Sequence, residues 1–120
     1  MSWNGKEKRI FPRANFPCKI TVGSKDIYFN SHTENIGEGG VKVILEEKLK
    51  RAMPVNLELI LGEDKKIICK GEVVWVEERV NPLSGKASLF DTGIQFLDMS
   101  ENDRNYIKKL VDTLIAQNKV

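Results

Sequence analysis

Apolar side chains alternate with others from Phe16 to Val22, where Phe16, Cys18, Ile20 and Val22 share one face, and this period of two predicts a first strand. Gly23-Ser24-Lys25-Asp26 supplies a turn, and Ile27-Tyr28-Phe29 a second short strand. Asn30 to Asn35 is polar throughout and reads as a segment that cannot bury itself. Val41, Val43 and Leu45 then alternate, as do Val55, Leu57, Leu59 and Leu61 after Pro54. Gly62-Glu63-Asp64-Lys65 turns the chain back into a further strand from Ile67 to Val76. A second turn, Asn81-Pro82-Leu83-Ser84-Gly85, precedes a last strand from about Ala87 to Phe96, with Phe90, Ile94 and Phe96 on a common face. Between these runs, Glu46 and Glu47 beside Lys48, Lys50 and Arg51 read as a solvated loop or a turn of helix.

The period changes at the end. Ser100 is a good N-cap, and Asp103 three positions on suits the positive end of a helix. Tyr106, Ile107, Leu110, Val111, Leu114 and Ile115 recur at helical spacing and predict one amphipathic helix. Many short strands with frequent turns and a single helix predict a mostly β domain, an antiparallel barrel or a sandwich.

The 120 residues suffice for one core and hardly for two. With 41% hydrophobic and 30% charged residues the balance is globular, and a net charge of +2 is too small for binding nucleic acid by bulk electrostatics. The expected organisation is a flexible, basic arm over residues 1–14 and a folded domain over 15–120. No apolar run approaches the ~20 residues that cross a bilayer. The opening residues lack the apolar stretch of a secretory signal, so a cytoplasmic location without membrane insertion is expected. Cys18 and Cys69 lie apart in apolar runs and read as buried, reduced thiols rather than metal ligands; neither a metal nor a cofactor is expected.

Two segments combine residue types that folding alone does not demand. Arg9-Ile10-Phe11-Pro12-Arg13 is an RxxxR spacing preceded by Lys8, and Asn35-Ile36-Gly37-Glu38-Gly39-Gly40 sets an amide before a glycine cluster. A guanidinium fork matches phosphate oxygens or the O6/N7 edge of guanine, and its face stacks on bases. Asn35 offers a donor and an acceptor, and the glycines permit close backbone approach. An anionic ligand carrying guanine, clasped between an arm and a loop, suits this set.

In order and spacing the two segments resemble the paired motifs of the PilZ family, RxxxR followed by D/N-x-S-x-x-G. Gly71-Glu72-Val73-Val74-Trp75-Val76, Thr92-Gly93-Ile94-Gln95-Phe96-Leu97-Asp98 and the terminal helix extend the likeness over nearly the whole chain from Lys8 onward. The resemblance implies a six-stranded antiparallel β-barrel with a C-terminal helix, and cyclic di-GMP on its outer face under the N-terminal arm. It implies that Arg9 and Arg13 hold phosphate and guanine, that Asn35 bonds a guanine edge, and that Gly40 allows close approach. Lys8 would bear on whether one ligand or a stacked pair binds, and Trp75 is a further stacking candidate. Gly37 departs from the pattern by replacing the serine, leaving a backbone N–H where a hydroxyl is usual. The missing hydrogen bond is worth about 1.5–3 kcal/mol.

Blander readings stand beside these. The arginines alone would pass for solvated charges, the glycines for turn residues, and Trp75, in a strand apolar on both faces, for a core residue. His32 has no nucleophile for a neighbour and is not read as catalytic. The expectation is a non-enzymatic cyclic di-GMP receptor that docks an unidentified protein partner when the ligand orders its arm. The alternative is a ligand-independent adaptor of the same fold. A nucleic-acid-binding barrel is disfavoured because the strands lack an aromatic-studded basic groove.

Overall fold

Alternation governs burial along the strands. In the computed structural model, which describes residues 13–117 apart from 26, 63 and 81 and only the backbone of Arg13 and Ala87, the strands are β1 (Arg13–Asn15), β2 (Lys19–Ser24), β3 (Ile27–Gly37), β4 (Gly40–Leu45), β5 (Pro54–Ile60), β6 (Lys66–Val80) and β7 (Ala87–Phe96). Helix α1 (Glu101–Gln117) follows. On β5, Val55, Leu57 and Leu59 are buried while Pro54, Asn56 and Ile60 are exposed. On β6, Ile67, Cys69 and Val73 point inward in the same rhythm. Each fully buried aliphatic side chain contributes about 1.5–3 kcal/mol relative to exposure, so this pattern fixes which face of each strand turns inward.

The strands are antiparallel, in the order β1-β3-β2-β5-β6-β7-β4, and a further pairing of β3 with β4 closes the sheet. The result is the expected six-stranded barrel with one C-terminal helix. Its core is the continuous set of Ile20, Ile36, Leu57, Leu59, Ile67, Val73 and Ile94 with their neighbours. Helix α1 buries Ile107 and Val111 and leans Leu110, Leu114 and Ile115 on the same core, against β3 and β1. The Ser100 cap is present: its Oγ accepts from the Asp103 amide at 3.1 Å. Asp103 also pairs with Lys65 Nζ at 2.7 Å, tying the helix to the β5–β6 turn. Cys18 and Cys69 are buried and unbridged.

Two expectations are corrected. The polar run 30–35 is not a loop but the middle of β3, an eleven-residue strand. Its polar side chains mostly face outward, and the one fully buried among them, Thr33, is satisfied: it donates to the Phe16 carbonyl at 2.6 Å and accepts from the Cys18 amide at 3.0 Å. Residues 13 and 14, assigned to a flexible arm, belong instead to β1, where Ala14 is buried and Arg13–Asn15 pair with Asn35–Gly37. Pro17 carries no amide proton, so the chain breaks between β1 and β2 there, and Thr33 bridges the break.

Candidate functional site

The pairing of β1 with β3 brings the two sequence motifs together. Arg13 lies opposite Gly37 and Asn15 opposite Asn35, so the second arginine of RxxxR is the ladder partner of the residue that replaces serine. Lys8 and Arg9 lie outside the described residues.

Asn35 has a neighbour on each side of its strand, Asn15 on β1 and Lys42 on β4. Lys42 pairs with Gly93 on β7, and Gly93 with Trp75 on β6. Asn15, Asn35, Lys42, Gly93 and Trp75 therefore form one lateral row across five strands. Ile36, Val41, Val43, Thr92 and Ile94, which adjoin Asn35, Lys42 and Gly93 along their strands, are fully buried, so the row is on the barrel's outer wall.

The row places Trp75 on the outer wall. A register shift between Val73 and Trp75 inserts an extra residue into β6 and turns the indole outward. There it is half-buried, and the space above Gly93 is filled by its ring: a Cβ on Gly93 would collide with Nε1 and Cε2 and lie 2.7 Å from Cδ1. The pyrrole side of the indole rests on the wall, and the side chain as a whole is only partly buried. At Gly40 the close approach is to protein, because a Cβ there would strike the Ile94 carbonyl of β7. Glycine is thus required at that position by strand packing. Gly37 is buried at the end of β3.

A closed ring of ion pairs borders the row. Lys42 Nζ lies 3.5 Å from Glu34 and 4.0 Å from Asp91, and Arg79 lies 3.3 Å from Glu34 and 2.8 Å from Asp91. Asp91 is only 6% exposed although it belongs to the outer wall, since the two cations cover it. The Asp91 hydrogen bond and charge raise the Arg79 guanidinium above its ordinary pKa, so this member of the ring stays cationic. Lys42 is held upright beside Asn35 by these contacts. Sequence reading missed Lys42, Gly93 and the ring because each acquires meaning only through register between strands distant in the chain. A glycine opposite a tryptophan was the one available clue, and it needs the pairing to be seen. The assembled set offers amide donors and acceptors, cations and an aromatic face, which is the chemistry of binding.

The profile of the PilZ domain matches residues 7–113. The chain belongs to the PilZ family. No curated protein sequence matches it at a significant level. Among solved structures the PilZ chain is similar to the Bacillus subtilis inhibitor of motility (MotI/DgrA), at 14% identity and TM-score 0.79 over 93% of this chain and 53% of that one. It is also similar to the PilZ domain of YcgR from Escherichia coli with c-di-GMP, at 15% identity and TM-score 0.71, covering 94% of this chain and 99% of the other. A third is the K. pneumonia MrkH–c-di-GMP complex, at 20% identity and TM-score 0.73, covering 92% of this chain and 54% of that one. The chain thus spans about half the length of MotI/DgrA and MrkH, and at these identities the likeness establishes the shared PilZ fold. Among the described residues no helix is long and apolar enough to cross a membrane.

Proposed function

We propose that this PilZ domain is a receptor for cyclic di-GMP that performs no chemistry and reports occupancy to a protein partner. The observation that carries the reading is the β1–β3 pairing, which sets Arg13 against Gly37 beside the Asn35 row. Family membership supports it, as do the c-di-GMP complexes of the YcgR PilZ domain and of MrkH. Arg13, joined by Arg9 and Lys8 from the preceding segment, supplies cations for phosphates and guanine edges. Asn35 bonds a base edge and Trp75 stacks on a base, roughly 14 Å apart at the usual strand spacing. Ligand orders the segment before β1 against the wall, and the altered surface is what the partner reads. The domain acts in the cytoplasm in this reading.

Calorimetric titration with cyclic di-GMP, with GTP as control, tests it. Selective binding at micromolar or lower Kd is expected; absence of heat together with an unchanged NMR spectrum would overturn it. The second reading, a ligand-independent adaptor, is favoured by one observation: Gly37 stands where the motif carries a hydroxyl.

A further inference from the structure

The wall away from the Asn35 row carries a groove of about 610 Å³, between the β2–β3 turn, residues 50–56, the middle of β6 and Leu97. We propose that it docks an acidic segment of a protein partner, anchored by an apolar side chain. The proposal rests on the docking half of the function above and not on its ligand half.

Charge is the first argument. Lys25, Lys50, Arg51 and Lys70 line the groove, and no Asp or Glu lies among its described lining residues. None of the four takes part in the ion pairs of the described residues, which engage Lys42, Lys48, Lys65, Lys66 and Arg79 instead. In a chain of net charge +2, four cations without an ion pair among the described residues, against the single carboxylate of Asp98 that accepts from the Lys70 amide at the edge, form a local field that favours carboxylates.

The groove is also apolar and stiff. Leu97 is 51% exposed at its edge, and Met53, half-buried, offers a deformable thioether beside it. The segment bearing Lys50 and Arg51 is clamped to β6: the Ala52 amide donates to the Val73 carbonyl at 2.7 Å and the Val73 amide to the Met53 carbonyl at 3.0 Å. The Met53 amide closes the turn on the Lys50 carbonyl at 3.1 Å. Cations held on a fixed turn lose little freedom when they bind. On the adjoining wall Tyr28, 67% exposed, lies over Gly23, whose row continues through Asn56 to Lys70. An exposed leucine and methionine reward an apolar anchor, which a polynucleotide lacks, and so the chemistry favours a protein segment.

The full chain, without cyclic di-GMP, is titrated with a labelled peptide alternating leucine and glutamate. A leucine–lysine counterpart and a mixed-sequence single-stranded DNA serve as competing probes. Anisotropy is expected to rise with the acidic peptide alone, with amide shifts centred on Gly23, Met53 and Leu97. Lys50→Glu with Arg51→Glu should weaken binding about tenfold or more, whereas Lys66→Glu with Lys108→Glu, outside the groove, should leave it within about twofold. Leu97→Ser, which leaves every charge in place, should also weaken it and covers the case in which the first pair fails to fold. Equal binding by both charge-reversed pairs, preference for the DNA, or occupation of the groove by a second copy of the chain would overturn the proposal. Because no cyclic di-GMP is present, a chain that ignores the nucleotide but takes the peptide loses only the receptor reading.

Discussion

The Trp75 indole occupies the space that a side chain at Gly93 would fill. Gly93→Ala must push the ring off the wall, because the opposing atoms belong to a stiff bicycle set between strands. A stability loss of about 1–3 kcal/mol is expected by urea denaturation, with a shift of Trp75 emission in a Trp3→Phe background. Unchanged emission would mean that the ring is not seated on Gly93.

Trp75→Ala should lower cyclic di-GMP affinity about tenfold or more if the indole stacks on a base, since such stacking is worth about 1–3 kcal/mol. Calorimetry on the folded variant measures this. Equal affinity would confine Trp75 to the wall's packing.

Arg13→Ala and Asn35→Ala should each reduce binding by tenfold or more, about 1.5–3 kcal/mol for a lost charge-assisted hydrogen bond. Gly37→Ser, which restores the motif's hydroxyl between them, should tighten it. Retained affinity in both alanine variants would remove the β1–β3 pairing from the site.

Ala52 holds φ at 70°, a left-handed conformation that costs a non-glycine residue about 1–2 kcal/mol. Its side chain is exposed, so removing the methyl group forfeits little packing. Ala52→Gly is therefore expected to raise the unfolding free energy, by up to about 1 kcal/mol, in urea titrations. A lower midpoint would contradict the turn geometry.

Burial pushes the Cys69 thiol up to about 12, helped by the nearby charges of Asp98 and Asp103, and burial likewise raises Cys18. Both should resist alkylation at pH 8 in the native state and react once unfolded. The folded chain holds the Cys69 proton more tightly than the unfolded one, so this contribution is complete below pH 9 and declines as pH rises toward 12. The slope between those limits is up to about 1.4 kcal/mol per pH unit. Cys69→Ala should flatten that decline; an identical decline would assign it to other groups.

The strands and helix with a clean period were legible from the sequence, because one buried face imposes alternation. Strand β3 was not, since Asn30, His32 and Glu34 reward water on the outer wall as a loop would, and of the polar residues between them only Thr33 is fully buried. The indole's side was hidden by a bulge that breaks the count within β6. The neighbourhood of Arg13 and Asn35 followed from the motif resemblance alone, since spacing along a chain carries no information on pairing across it. Lys42 had no signature of any kind before register was known.

The seam between β4 and β7 has a kinetic meaning. These strands meet only after β5 and β6 have intervened, so their pairing closes the longest span of chain in the barrel, and loop-closure entropy places it late on the folding path. The row from Asn35 to Trp75 crosses that seam. A chain still emerging from the ribosome therefore carries both motifs without the surface that joins them, and the row is complete only with β7. On the proposed reading, the nucleotide would meet its full wall only on a completely folded copy of the protein.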